Sequence, residues 1–135
     1  MIDMFSQIKT SSDNRKIVID LTHKFNLGAE NVIARIAIAC SLMSGVKLSP
    51  LDIKDSGGKE YSKSVLFGNY YPIYIAMICT HYQIKDNDKD IPRYIKLHLD
   101  DGLERIAKDI SENPNLIGYD YLFDKINKGL EDLGC

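Results

Sequence analysis

Residues 31–45 read NVIARIAIACSLMSG. Between Val32 and Met43 only Arg35 and Ser41 interrupt the apolar run. Gly28 lies before the stretch and Gly45 closes it, which predicts a helix over about Ala29–Ser44. Glu30 falls in its first turn, where a carboxylate complements the positive end of the helix dipole. A helix apolar nearly all round has to be covered on all sides, so this segment is expected at the centre of the molecule. Ala34, Ala37, Ala39, Cys40 and Ser41 are small and allow close helix approach, and part of the cover is expected from other copies of the chain. The Arg35 guanidinium cannot shed its charge and needs a partner. The candidates are a carboxylate at Asp52, Asp55 or Glu60, or a phosphate on a ligand.

Upstream, Ser12 or Asp13 can cap a helix running to about Phe25, with Ile17, Val18, Leu21 and Phe25 on one face. The rival is a strand over KIVID, residues 16–20. A turn at Asn26-Leu27-Gly28 makes the two helices a hairpin, with a length that fits a helix-turn-helix. The first dozen residues look loose. Residues 46–67 change character and read as a loop or small β-hairpin turning at Gly57-Gly58. Pro72 opens a third helix to about Ile84, with an apolar set of Ile73, Ile75, Ala76, Met77, Ile78 and Tyr82. Pro92 opens a fourth to about Ile110, burying Ile95, Leu99, Leu103, Ile106 and Ile110. A last helix over about Tyr119–Leu133 presents Leu122, Ile126 and Leu130. The expected fold is mainly α, a compact domain of about five helices with a helix-turn-helix-like central hairpin and one loop or β-hairpin insertion.

A chain of 135 residues suits one domain and can bury a real core. Apolar residues make up 44% and charged residues 27%, values ordinary for a soluble globular protein. With no apolar stretch of signal-peptide or membrane-spanning kind, a cytoplasmic protein is expected. Cys40, Cys79 and Cys135 form neither a disulfide framework nor a zinc pattern. Cys40 and Cys79 sit in apolar helical patterns, as small core residues; terminal Cys135 could be a reactive thiol. The net charge of -2 does not advertise nucleic acid, although residues 1–63 carry nine Lys/Arg against seven Asp/Glu.

No catalytic or metal constellation can be assigned. His23, His81 and His98 lack metal-ligand spacing. His98, three residues before Asp101, reads as a surface or capping contact, and Asp100-Asp101 as a solvated face. DSGGKE, residues 55–60, could offer backbone N–H groups to an anion. The spacing of a P-loop is absent, and on spacing alone a tight turn with solvated charges is the favoured reading.

In combination the motifs say more. FNLGAENVIARIAIACSL, then DSGGKEYSKSVLFGNYYPIYIAMI, then IKLHLDDGLERI resemble the DndE family of DNA phosphorothioate-modification proteins. The matching positions are Asn31, Arg35, Ala37, Ser41 and Leu42; Asp55, Gly58, Lys59, Glu60, Tyr61, Leu66, Phe67 and Gly68; and His98 and Gly102. The chain departs from the pattern at Asn26, where Thr is common, and at Glu30, where Pro is common. The resemblance covers about residues 17–110 of a single domain over 1–135, leaving an extra C-terminal helix at about 116–134.

The resemblance implies a small helical, tetrameric, non-catalytic subunit that binds duplex DNA, preferably nicked, through backbone contacts. It implies partners too: a cysteine desulfurase, an iron–sulfur adenylating-type protein and an ATPase-like protein. No cofactor is implied. DNA binding in the family rests on surface lysines, so the candidates here are Arg15, Lys16, Lys24, Lys47, Lys54, Lys59 and Lys63. Arg35 and Glu60 are expected to pair and fasten the glycine turn to the central helix. Two rival readings stand beside this one. A DNA-nicking subunit would use Asp55, Glu60 or His98, and a protein scaffold would touch no DNA.

Overall fold

The computed structural model describes residues 5–134. Strand β1 (Gln7–Lys9) leads into α1 (Ser12–Phe25) and α2 (Glu30–Met43). After an irregular stretch come β2 (Glu60–Ser62) and the short α3 (Lys63–Phe67). Helices α4 (Tyr71–Tyr82), α5 (Ile91–Glu112) and α6 (Gly118–Asp132) complete the chain. The fold is mainly helical, as expected. Among the described residues no single helix is long and apolar enough to cross a membrane.

The helix ends follow local chemistry. The Ser11 hydroxyl accepts the Asn14 N–H at 3.3 Å and starts α1, one residue earlier than the sequence suggests. Asn26 takes the left-handed conformation that ends α1 (φ 52°), a role asparagine tolerates. Pro72 and Pro92 sit in the first turns of α4 and α5, where the missing N–H costs nothing. The strand alternative for residues 16–20 is not adopted, because Val18, Leu21 and Phe25 are buried on one helical face.

Helices α2 and α5 form the core together. Ile33, Ala34, Ala37 and Ile38 of α2 are buried, as are Ile95, Leu99, Leu103 and Ile106 of α5. Gly102 makes their contact possible: a Cβ there would stand 1.8 Å from the Ala37 carbonyl oxygen. The axes of α1 and α2 turn by 105°, within helix-turn-helix range. Yet α2 is largely buried, and what it leaves accessible is mostly apolar (Val32, Ile36, Ala39, Met43). It is a core helix and not one shaped to lie in a DNA groove.

Several expectations are corrected. The segment after Gly58 does not fold back on itself; β2 pairs antiparallel with β1, Ile8 opposite Tyr61. Both of those central side chains are buried, so β1 is tied down by burial that a local reading cannot see. Residues 63–67 are helical, with Ser62 as cap. The buried side of α6 is set by Gly118 and Tyr121, which leaves Ile126 and Leu130 exposed. Likewise Ile73 and Ala76 of α4 lie outside, and Ile75 and Ile78 inside.

Candidate nucleic-acid interface

The glycine turn is closed against anions by its own hydrogen bonds. The Asp55 carboxylate accepts the N–H groups of Gly57 (3.0 Å) and Ser12 (2.9 Å). These bonds hold its pKa below the usual carboxylate range. The Gly58 N–H goes to the Thr10 carbonyl and the Lys59 N–H to the Thr10 hydroxyl. All three amides that a phosphate would need are therefore used, and Asp55 occupies the place of the anion. Gly58 is required by contact, since a Cβ would lie 2.1 Å from the Ser11 carbonyl oxygen.

Arg35 and Glu60 do not pair. The Arg35 Nε donates to the Leu66 carbonyl at 2.5 Å and a terminal nitrogen to the Val65 carbonyl at 3.3 Å. Its guanidinium also stands over the Tyr70 ring, 5.6 Å from the centroid. The guanidinium thus caps the end of α3, whose last carbonyls lack helical partners. Glu60 is exposed on β2, opposite Lys9. The fastening expected of that pair exists with the charges exchanged. Glu30 at the start of α2 takes the Tyr61 hydroxyl (3.0 Å) and faces the Lys59 ammonium (3.3 Å). Burial, reinforced by Glu30, pushes the Tyr61 hydroxyl's pKa up and keeps it a donor. Glu30 is one of the two positions where this chain departs from the family pattern.

The middle of α5 carries polar groups that sequence reasoning placed outside. Asp100 is buried and accepts from Ser11 N–H (3.0 Å), the Asn14 amide (2.8 Å) and Lys96 (3.2 Å). Lys96 also donates to the carbonyls of Lys9 (2.7 Å) and Asp55 (2.8 Å). The pair therefore bolts β1, the glycine turn and the start of α1 onto α5. Its signal in the sequence is a Lys and an Asp four residues apart within the apolar pattern of α5.

His98, too, is fully buried. Its Nδ1 is 2.7 Å from the Ser41 hydroxyl and its Nε2 2.6 Å from the Tyr82 hydroxyl. Ser41 also reaches Asp101 at 2.6 Å, and Asp101 accepts from Arg105 at 2.6 Å. A serine has one proton, and a carboxylate can only accept, so that proton goes to Asp101. His98 Nδ1–H therefore donates to Ser41, and Nε2 accepts from Tyr82, whose oxygen takes the Leu48 N–H. The chain of bonds has one direction and requires a neutral imidazole. Burial, with help from the adjacent His81, pulls the His98 pKa down to about 4. The serine is no nucleophile here, because its proton points away from the base. Among the described residues no three His, Cys, Asp or Glu side chains are grouped to hold a metal ion. Of the three residues named for nicking, Asp55 holds the Gly57 and Ser12 amides, Glu60 is exposed on β2, and His98 is buried between Ser41 and Tyr82. Burial raises the pKa of the Cys40 and Cys79 thiols; Cys135 lies outside the described residues.

The basic candidates divide by what they already touch. Lys54 bridges to Glu104 (2.6 Å to one oxygen), Lys59 to Glu30, and Lys47 to the His81 carbonyl and the Tyr82 ring. Lys63 lies over the Tyr71 ring, 4.7 Å away. Lys24 donates to the Pro114 carbonyl at 2.6 Å. Lys16 pairs with Asp20 at 2.8 Å with its side chain 85% exposed, so water screens that pair. Arg15 is exposed beside it on α1. The structure thus brings Arg15 and Lys16 together and distributes the others.

Comparison with known proteins fits this architecture. The family model for DndE, the DNA sulphur modification protein, matches residues 7–113, from β1 to just past the end of α5. The crystal structure of DndE from Escherichia coli B7A, involved in DNA phosphorothioation modification, superposes with a TM-score of 0.61 at 18% identity. That match covers 78% of this chain and 99% of that one. A glycine-to-lysine double mutant of DndE superposes at 0.62 with 20% identity and the same coverage. No curated protein matches the chain. On the family match, which spans most of its length, the chain belongs to the DndE family of DNA sulphur modification proteins.

Proposed function

We propose that this chain is a non-catalytic, DNA-binding subunit of the phosphorothioate modification machinery, acting in the cytoplasm. It holds duplex DNA by its phosphates while partner proteins supply the sulfur chemistry. The observation that carries this reading is the way the family core uses its chemistry-bearing groups. Asp55, His98 and Ser41 are all committed to structural bonds, while Arg15 and Lys16 stand exposed on the outer face of α1. Phosphate contacts supply affinity without sequence choice. A nick lowers the cost of bending a duplex onto the protein and accounts for a preference for nicked DNA. Lys24, Lys47, Lys54, Lys59 and Lys63 extend the surface, each giving up an internal partner or sharing it with a phosphate. Assembly as a homotetramer would bring several such surfaces to one duplex.

The test is gel-shift binding to matched intact and nicked duplexes without magnesium, over a salt series. The expected result is tighter binding to nicked DNA that weakens as salt rises. Arg15→Ala with Lys16→Ala should reduce the salt slope by roughly two, one for each phosphate the protein no longer neutralises. The scaffold reading draws support from Lys54 and Lys59, whose charges are already met by Glu104 and Glu30. Absence of any shift at low salt would favour it over DNA binding.

A further inference from the structure

Helix α6 lies beyond the family-matched span of 7–113 and carries a surface that the core does not use. Tyr119, Phe123, Ile126, Leu130 and Leu133 recur at spacings of four, three, four and three residues. This is the pattern of a coiled-coil seam. All five are exposed, at 70%, 65%, 55%, 45% and 79%. The adjoining side of α6, about a quarter-turn round the helix, is seated on the body. Tyr121 is buried, its ring 5.2 Å from that of Phe25 and its hydroxyl 2.8 Å from Asp109. Lys125 also faces Asp109, at 3.3 Å. Gly118 lies against the Phe25 backbone, and a Cβ at Gly129 would meet Met43. The helix is therefore held in one orientation with its seam turned outward.

We infer that α6 pairs antiparallel with α6 of a second copy of this chain, across a two-fold axis at Ile126. Three observations select that occupant. First, the seam complements itself only in this direction. Antiparallel pairing sets Tyr119 against Leu133 and Phe123 against Leu130, a ring facing a branched aliphatic in each layer. Parallel pairing would set ring on ring and leave the aliphatic end thin. Second, the positions flanking the seam are Asp120, Leu122, Asn127 and Gly129, so Asp120 is the single charge. Antiparallel pairing keeps the two Asp120 carboxylates at opposite ends, and Asn127 meets its own copy near the axis. Third, at roughly 200 Å² per large side chain, the exposed fractions amount to about 600 Å² per copy, or about 1,200 Å² for the pair. That reaches the lower range of specific interfaces, roughly 1,200–2,000 Å². This pairing does not depend on DNA binding and adds to any association through the family core.

The experiment is sedimentation of the full chain, with Phe123→Asp plus Ile126→Asp as the variant. Both positions are exposed, so the fold is retained, and circular dichroism checks this. The expected result is an assembly mass that falls to half in the variant. A monomeric wild-type chain at about 100 μM, or an unchanged mass in the variant, would overturn the proposal. Oxidative cross-linking reads the register, in a background with Cys79 and Cys135 replaced by serine. Ile126→Cys should cross-link to its own copy and Phe123→Cys should not. The reverse pattern, or cross-linking at both, would overturn the antiparallel arrangement.

Discussion

Replacing Gly102 with alanine sets two effects of opposite sign against each other. Within a helix, alanine is favoured over glycine by about 1 kcal/mol, so propensity alone predicts a more stable protein. At this position the added Cβ would lie 1.8 Å from the Ala37 carbonyl oxygen and 2.3 Å from its carbon. Ordinary contact begins near 3.4 Å, so α2 and α5 must separate by about 1.6 Å. The opposing atoms are backbone of a buried helix, and no side chain can swing aside. Around them Ala37, Ile38, Leu99 and Leu103 are fully buried, and a gap of even 0.5–1 Å forfeits a quarter to a half of each dispersion contact. Overpacking of this kind costs about 1–3 kcal/mol, and a backbone clash takes the upper end. The net expectation is a loss of about 2 kcal/mol after the propensity gain, a fall in Tm of roughly 5–10 °C. Gly129→Ala is the control, because its Cβ would meet only the Met43 sulfur at 3.5 Å. It should hold or raise Tm. The assay is thermal unfolding at fixed protomer concentration, since association shifts apparent stability. A Gly102→Ala protein as stable as the parent would refute the claim that this glycine sets the approach of the two central helices.

The remaining predictions concern polar groups in and around the core. His98 has a folded-state pKa of about 4 against 6.5 for a free histidine, so the unfolded chain takes up its proton first as pH falls. Stability from this group is present in full above pH 6.5 and is lost toward pH 4, by up to about 3 kcal/mol. Urea unfolding across that range should show the slope in the parent and a flatter profile in His98→Gln; equal slopes would exclude His98 as the source. Arg35→Met leaves the Leu66 carbonyl without its donor, while the Val65 carbonyl keeps the Asn31 amide, and should cost about 1–2 kcal/mol. Glu60→Gln should cost less than about 0.5 kcal/mol, as exposed substitutions usually do. Equal losses at Arg35 and Glu60 would restore the ion pair that the structure replaces with Glu30, Lys59 and Tyr61.

The helices were legible in the sequence because a helix is local. Prolines at 72 and 92 and apolar residues at helical spacing lie within a few positions of what they control, and the cap of α1 falls one residue from its expected place; the short α3, capped by Ser62, reads in the sequence as loop or hairpin. The apolar run at 31–45 announced a core helix, and the order of short motifs announced the family. Everything that needed a distant partner was decided by tertiary structure. The pairing of β1 with β2 joins residues more than fifty positions apart, and nothing local separates it from a hairpin at Gly57-Gly58. His98 and Ser41 are 57 positions apart, and Ser11 and Asp100 are 89. A histidine or aspartate in an amphipathic pattern reads as surface until the helices that bury it are placed. For Arg35 the sequence showed that a partner was required; carbonyls at the end of α3 met that need, and a charge count does not register carbonyls. On α6 the seam itself was written in the sequence. Its direction was not, because an apolar stripe faces the core or the solvent according to which other residues, here Gly118 and Tyr121, seat the helix.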